Sequence, residues 1–193
     1  MTIQDKPKYR VLLVDDEKEQ LNKIKAIIER SNSLKEFIES TEAILVDPQK
    51  GTEEIANQIK ENPAQWNIIL SDLFMPSNEG KGSLGGLLIA KVLIPFFDLD
   101  PEFPVKLIFI SNKEAAGGEL REYIPRYSKW LDWYPKPKIS PDDFKRDDLA
   151  PKGLWTYAIA KAIRKLNQDT CKEGDYTIED LEVGLSGKMR IAK

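Results

Sequence analysis

The sequence predicts an α/β fold in which five strands form one parallel sheet with helices on both faces. Short apolar runs alternate five times with segments whose apolar residues recur at helical spacing. One run, residues 105–110, is almost continuously apolar, as strands buried on both faces of a parallel sheet are. Parallel neighbours need helical crossovers, which are right-handed and cover the sheet on both sides.

The first two strand–helix units lie in the first third of the chain. Residues 9–14 form the first expected strand, and Leu21, Ile24 and Ile28 then repeat at helical spacing. Residues 43–46 form the second, closed by an Asp-Pro pair, and Ile55 with Ile59 marks the following helix.

Three further units complete the pattern. The third strand is expected at residues 66–70 and its helix at 86–97; the fourth strand, residues 105–110, precedes a helix at 114–124. The fifth strand is expected at residues 130–134. The last helix places one set of apolar residues on a single face: Trp155, Ile159, Ala162, Ile163 and Leu166.

The length of 193 residues suits a single domain. We expect this domain to occupy residues 1–168 and residues 169–193 to form an extended or flexible C-terminal tail. The polar, proline-containing segment at residues 138–152 predicts a long surface loop before the last helix.

Composition excludes several classes of function. The net charge of −3 gives no general attraction to nucleic acid. The absence of histidine rules out Ser-His-Asp and Cys-His catalysis, histidine-ligated zinc and phosphohistidine intermediates on this chain. Any phosphoryl chemistry must therefore use carboxylates. The single Cys171 cannot form an internal disulfide.

The distribution of apolar residues also bears on location. No apolar run approaches the roughly 20 residues that span a bilayer, and the polar start MTIQDKPKYR does not resemble a secretory signal. We therefore expect a cytoplasmic protein without membrane insertion.

Polar side chains follow four of the expected strands. They are Asp15, Asp16 and Glu17 after the first strand, Asp72 after the third, Ser111 after the fourth and Lys136 after the fifth. Parallel sheets gather function beyond the carboxyl ends of their strands, so these groups should meet. Taken singly each signal is weak, since Asp15 could cap a helix as readily as bind a ligand and Lys-Pro could be an ordinary turn.

Four segments together are more specific. VLLVDDE, LSDLFMP, FISNK and WYPKP, in this order, resemble the signatures of response-regulator receiver domains of the CheY-like family, over roughly residues 9–166. The resemblance implies the flavodoxin-like strand order 2-1-3-4-5. It also implies that Asp72 is the phosphoacceptor.

The same resemblance implies a magnesium site and a switch. Mg²⁺ would be bound by Asp16, Asp72 and the backbone carbonyl of Phe74, with Asp15 holding a metal-bound water; hard oxygen ligands suit this ion. Lys136 would stabilise the phosphoryl oxygens, and Ser111 would hydrogen-bond one of them as the switch contact. Trp133 stands where the family usually has an aromatic residue whose rotamer follows that contact, but an ordinary core tryptophan is nearly as well supported.

The sequence departs from the family pattern at several positions. Asn112 replaces a normally small residue, and Phe74 and Lys113 stand at positions that tune hydrolysis of the acyl phosphate. The segment SNEGKGSLGG is longer than usual and lacks the Gly-Lys-Ser/Thr ending of a P-loop, which favours a flexible lid. Gly117-Gly118 and Pro125 should shorten or loosen the fourth helix.

The leading hypothesis is a phosphorylation-dependent receiver of a two-component or phosphorelay system. Its donor would be a histidine kinase or phosphotransfer protein acting in trans, and its output would pass to a protein target. It would catalyse only its own phosphoryl transfer and dephosphorylation, and so would not be an enzyme in the usual sense.

Three alternatives stay open. The chain could be an adaptor that binds partners without phosphorylation, or a fragment of a longer regulator whose output domain is missing. An aspartate-nucleophile phosphatase is weakly supported, because such enzymes need a second aspartate two residues after the nucleophile and Phe74 occupies that position.

Overall fold

Five strands and five helices alternate along the described chain, as the spacing of its apolar residues predicts. The computed structural model describes residues 7–77, 84–111, 119–135 and 150–170. In chain order the elements are β1 (Tyr9–Asp15), α1 (Lys18–Arg30), β2 (Ile38–Leu45), α2 (Glu53–Glu61), β3 (Ile68–Asp72), α3 (Gly85–Leu99), β4 (Lys106–Ser111), α4 (Glu119–Arg126), β5 (Leu131–Pro135) and α5 (Ala150–Thr170).

The five strands form one parallel sheet in the order β2-β1-β3-β4-β5. Every neighbouring pair is parallel. The predicted α/β class and the flavodoxin-like order 2-1-3-4-5 are thus confirmed. The order makes β1, β3 and β4 consecutive neighbours at the centre, so their carboxyl ends open onto the same edge of the sheet.

Alternation of side chains along the strands supplies two hydrophobic cores, one on each face of the sheet. Leu12, Ile69 and Phe109 point to one face, where α2 and α3 contribute Ile59 and Leu93. Their sequence neighbours point to the other face, where α1 and α5 pack. That second core contains Leu13, Ile68, Leu70, Ile108, Ile24, Ile28, Ile159 and Ile163. Each fully buried aliphatic side chain contributes about 1.5–3 kcal/mol, which makes these faces the main source of stability.

The edge strand β2 is longer than its apolar run indicates. The strand predicted at residues 43–46 is present, but its bounds differ: β2 begins five residues earlier and runs from Ile38 to Leu45. Its added residues are mostly polar and exposed, which an edge strand permits but an apolar-run criterion cannot detect. Glu42 on this strand accepts a hydrogen bond of 2.9 Å from the indole nitrogen of Trp66.

Several other boundaries differ from the prediction by a few residues. β3 and β4 start later than expected, and each includes the polar residue predicted to follow it, Asp72 and Ser111. Pro125 lies inside α4 rather than ending it. Residues 112–118, which include the two predicted helix-loosening glycines, lie outside the described residues, as do 78–83 of the glycine-rich segment.

The start of α5 corrects the predicted loop at residues 138–152. Residues 150–152 belong to the first turn of α5, and 138–149 lie outside the described residues. Pro151 is compatible with this position, because the first helical turn does not need its missing N–H group. The helix continues to Thr170, past the expected domain boundary at residue 168; the rest of the predicted tail, from residue 171, is not described.

A charged cluster fastens α5 to β5. The carboxylate of Asp132 accepts hydrogen bonds from Lys161 at 3.0 Å and from Lys165 at 2.7 Å. Burial alone would lower the pKa of Lys161, but the hydrogen bond and charge of Asp132 outweigh it and raise that pKa above its ordinary value. The cluster holds α5 against the sheet, and with it Trp155 near the functional edge.

The first turn of α3 lies against the backbone that follows β3. A Cβ added to Gly86 would overlap the carbonyl oxygen of Asp72 and lie 2.9 Å from the Cα of Leu73. Both obstacles are backbone atoms that cannot swing aside. Glycine is therefore required here by close approach, and the residue that it touches is the predicted phosphoacceptor.

Gly86→Ala should destabilise the chain by about 1–3 kcal/mol, because the new methyl group has no space. In an open helix the same change would stabilise by about 1 kcal/mol. Urea unfolding followed by circular dichroism measures the sign of the effect. A more stable variant would show that α3 does not approach β3 as closely as described.

Candidate cation site at the carboxyl edge of the sheet

Three aspartates from two neighbouring strands meet at this edge. Asp15 is the last residue of β1 and Asp72 the last of β3, and the two strands pair in register through Val14 and Ser71. Asp16 follows β1 directly. One carboxylate oxygen from each aspartate lies within 4.8 Å of the other two. The predicted clustering of these three residues is present in the structure.

The three carboxylates differ in exposure and support. Asp15 is only 2% exposed, whereas Asp16 and Asp72 are half-buried. Asp15 Oδ1 accepts a hydrogen bond from the amide of Glu17 at 2.9 Å. Asp72 Oδ1 accepts one from the amide of Leu73 at 2.6 Å and one from Phe74 at 3.3 Å. These amides fix the direction of two carboxylates and offset part of their charge.

The donor set suits a hard divalent cation. Three negative charges at this spacing repel one another, and a cation among them would remove the repulsion. Carboxylate oxygens are the ligands that Mg²⁺ and Ca²⁺ prefer, whereas zinc and copper sites favour the nitrogen and sulfur ligands that this cluster lacks. The arrangement could therefore hold such an ion.

A small pocket of about 10 Å³ opens beside the carboxylates. Asp15, Ser71 and Asp72 contribute its polar side. Its apolar side comes from α1, the strands and α5: Leu13, Val14, Leu21, Ile24, Leu70, Ile110 and Trp155. A volume of this size has room for about one water molecule, so the pocket can hold a solvent ligand but no organic molecule.

The segment that follows Asp72 is held by hydrogen bonds to α3. The amide of Gly86 donates to the carbonyl of Leu73 and that of Gly85 to the carbonyl of Met75, both at 3.2 Å. Phe74 lies between these two anchors, and its ring packs against the core on the α3 face. Phe74, whose carbonyl is the third metal ligand implied by the resemblance, thus sits on a segment fixed on both sides.

A residue that sequence reasoning did not single out also holds this segment. Thr52, at the start of α2, donates to the carbonyl of Pro76 from its amide at 3.0 Å and from its hydroxyl at 2.8 Å. Its side chain is completely buried. A threonine before two glutamates indicates only a helix start, so no sequence signal could reveal this long-range contact.

The predicted switch residues lie on the neighbouring strands. Ser111 ends β4, is fully buried, and follows Ile110, the register partner of Asp72. Trp133 lies on β5 opposite Phe109; it is half-buried and packs against the core on the α3 face. This packing fits both the switch and the core interpretation. Lys136 lies outside the described residues, as do Asn112 and Lys113.

The sequence matches no protein-family model and no curated protein. Among solved structures, the Francisella novicida lysine decarboxylase LdcF is similar with a TM-score of 0.44 and 13% identity, over 86% of this chain. This chain spans 18% of the decarboxylase. The structure of the P1 domain of CheA3 in complex with CheY6 from R. sphaeroides is similar with a TM-score of 0.44 and 16% identity. That match covers 84% of this chain and 98% of the other. Similarities of this extent leave function to be argued from the residues of this chain.

Crossing a bilayer takes a helix of about 20 mostly apolar residues, and the structure describes five helices. None of them is both long enough and apolar enough to cross one.

The indole nitrogen of Trp133 is buried and has no hydrogen-bond acceptor among the described residues. The indole nitrogen of Trp130, by contrast, donates to the carbonyl of Phe103 at 3.2 Å. Both side chains are half-buried against the same core. Within the described residues, Trp130 contributes a hydrogen bond and Trp133 does not; the ring of Trp130 also stacks on Phe97 with centroids 5.0 Å apart.

Trp130→Phe should destabilise the chain more than Trp133→Phe, by about 1 kcal/mol or more, because the first change breaks a hydrogen bond and reduces the stacking on Phe97, whereas the second breaks no bond to a described residue. Urea unfolding monitored by far-ultraviolet circular dichroism gives both values without relying on tryptophan emission. An equal or larger loss at Trp133 would mean that its indole N–H has an acceptor.

Proposed function

We propose that this chain is a receiver domain that accepts a phosphoryl group on Asp72, with Mg²⁺ bound by the aspartate cluster, and signals through protein contacts. The observation that carries the proposal is the meeting of Asp15, Asp16 and Asp72 within 4.8 Å at the carboxyl edge of a 2-1-3-4-5 sheet. The match of four sequence segments to receiver signatures supports it, because two of the segments supply these aspartates.

The chemistry of each group follows from its position. Mg²⁺, when bound, would supply positive charge to the phosphoryl oxygens. A carboxylate oxygen of Asp72 attacks the phosphorus of a phosphohistidine donor in line, the P–O bond of an acyl phosphate forms, and the P–N bond breaks. The departing imidazole keeps the electron pair of the broken bond and takes up a proton. Asp16 and the carbonyl of Phe74 would complete the protein ligands, and Asp15 would hold a metal-bound water.

The hydrogen bonds at Asp72 bear on its role as nucleophile. Oδ1 accepts from the amides of Leu73 and Phe74, which fixes the plane of the carboxylate. Attack would then come from whichever oxygen faces the donor, without a search over rotamers. The side chain is half-buried, so a donor protein can reach it.

The signalling step would use Ser111 and Trp133. Ser111 ends the strand next to Asp72, where its hydroxyl can approach a phosphoryl group on that residue. A phosphoryl group adds about 1.5–2 negative charges and three acceptor oxygens, enough to bias a two-state loop. Trp133, whose indole N–H has no acceptor within the described residues, would gain from a rotamer change that pairs it. Lys136 would stabilise the phosphoryl oxygens.

The proposed partners follow from the resemblance to receiver domains, together with one feature of the composition. The chain contains no histidine, so its phosphohistidine donor is a separate protein, a histidine kinase or a phosphotransfer protein of the cytoplasm. The output is a contact with a target protein. In this proposal the chain catalyses two reactions, the transfer of the phosphoryl group to Asp72 and the hydrolysis of the resulting acyl phosphate, and it acts on no other substrate.

Incubation with Mg²⁺ and a small acyl-phosphate donor should add one phosphoryl group, detected by intact-mass spectrometry. Asp72→Asn should abolish the adduct, because the amide is not a nucleophile at neutral pH. Asp100→Asn is the matched control: Asp100 is exposed at the far end of α3, and it should label like the wild type. Equal labelling of Asp72→Asn would place the phosphoacceptor elsewhere.

Asp16→Asn should have opposite effects without and with metal. Without metal it should stabilise the chain by up to about 1 kcal/mol, because it removes one charge from a repelling cluster. Mg²⁺ at ten times its Kd should stabilise the wild type by about 1.4 kcal/mol and the variant by much less. Thermal unfolding with Mg²⁺ and with EDTA measures both. A wild type whose Tm ignores Mg²⁺ would contradict the proposed metal site.

A further inference from the structure

The hydroxyl of Thr52 does not cap the helix at whose start it lies. Thr52 is the N-cap residue of α2, where a threonine hydroxyl commonly accepts a hydrogen bond from the first turn of its own helix. No such bond is formed. The hydroxyl instead donates across the molecule to the carbonyl of Pro76, 24 residues away, at 2.8 Å. The buried hydroxyl of Thr52 therefore forms its hydrogen bond with the segment after β3 and not with its own helix.

The carbonyl of Pro76 accepts two hydrogen bonds from this one residue. The amide of Thr52 donates at 3.0 Å in addition to the hydroxyl. Thr52 is completely buried, so water does not compete for either bond. Two donors from one rigid helix start define both the distance and the direction of the carbonyl.

The surroundings leave this contact little room to shift. A Cβ on Gly85 would lie 2.5 Å from the Thr52 hydroxyl oxygen, 2.6 Å from the carbonyl oxygen of Met75 and 2.8 Å from that of Pro76. Gly51 has φ of 69° and would bring a Cβ within 2.9 Å of the Cα of Ser77. The starts of α2 and α3 therefore close on the segment 73–77 from two sides.

This segment carries Phe74, whose carbonyl is the third protein ligand in the proposed metal site. The carbonyls of Leu73 and Met75 are bonded to α3, and that of Pro76 to Thr52. Mg²⁺ requires ligand distances of about 2.0–2.1 Å in near-octahedral geometry, so a displacement of a few tenths of an ångström in one ligand weakens binding. The position of Pro76 is thus transmitted to the metal site through two residues of backbone.

We infer that Thr52 is a positioning residue for the metal site: its hydroxyl, together with its amide, holds Pro76 so that the Phe74 carbonyl is in place for the cation. This inference rests on the proposed function and adds a residue from α2, an element that the receiver signatures do not include. Thr52 touches neither the cation nor the phosphoryl group. It acts through the backbone of residues 74–76.

The test is a Mg²⁺ titration of the full chain, followed by the amide NMR shifts of residues 15–17 and 72–75. Thr52→Val keeps the shape but puts a methyl group where the hydroxyl was, and a methyl carbon needs about 3.5 Å from the Pro76 oxygen. We expect its Kd for Mg²⁺ to rise about tenfold, which is in the range observed when residues that hydrogen-bond to metal ligands and orient them are mutated. Thr52→Ser keeps the hydroxyl and should restore the wild-type affinity.

Two further variants separate positioning from stability. Thr41→Val makes the same chemical change in the middle of β2, where its register partner is Val11, and should leave the Mg²⁺ affinity unchanged. Thr52→Ala removes the hydroxyl without adding a methyl group in its place, so it breaks the side-chain bond to Pro76 without crowding that carbonyl. It should weaken Mg²⁺ binding too, and it serves as the test if Thr52→Val does not fold.

The possible results separate a failure of the role of Thr52 from a failure of the proposed function. Wild-type binding of Mg²⁺ with unchanged affinity in folded Thr52→Val, or in Thr52→Ala, would overturn the role of Thr52 and leave the proposed function standing. A drop in Tm of the metal-free Thr52→Val without any change in Kd has the same meaning, since it shows a purely structural role. A wild-type chain that shows no Mg²⁺ response at residues 15–17 and 72–75 would overturn the proposed function, and the inference with it.

Discussion

Electrostatic repulsion among three carboxylates at adjacent strand ends is the constraint around which this edge of the molecule is built. Asp15, Asp16 and Asp72 lie close enough for their negative charges to repel one another, so the fold must hold them together. The cores on the two faces of the sheet supply the free energy that holds them there, because β1 and β3 are central strands packed on both sides. Backbone amides at Glu17, Leu73 and Phe74 then orient two of the carboxylates.

The same constraint explains why the surrounding backbone is so closely packed. The segment after β3 has no regular structure of its own. Its carbonyls are bonded instead to Gly85, Gly86 and Thr52 at the starts of two helices. Both glycines are needed for close approach, so a site with few side chains depends on backbone contacts from α2 and α3.

Distant parts of the fold serve this edge by fixing the elements that reach it. The Asp132 cluster holds α5, whose Trp155 lines the pocket next to Asp72. Trp66 ties β3 to the polar edge strand β2 through Glu42. These contacts carry no chemistry themselves. They fix the positions of the strands and the helix whose ends meet at this edge.

The sequence by itself determined the class of fold, the parallel sheet and which aspartates share one edge. It could do so because apolar periodicity reports burial directly, and because the carboxyl ends of parallel strands must coincide. Even Asp72, predicted to follow β3, differs only in being its last residue. The strand order came from resemblance to a family rather than from periodicity, since the pattern of burial does not say which strands are neighbours.

Only the tertiary structure decided the polar half of β2, the start of α5 at Ala150 and the contact between Thr52 and Pro76. An exposed edge strand needs no apolar run. A proline in the first turn of a helix cannot be distinguished from a loop proline by the sequence alone. Thr52 meets Pro76 across 24 residues, a contact set by how α2 and α3 pack rather than by any local pattern. Long-range hydrogen bonds of this kind depend on the positions of whole helices, which is why local sequence preferences cannot reveal them.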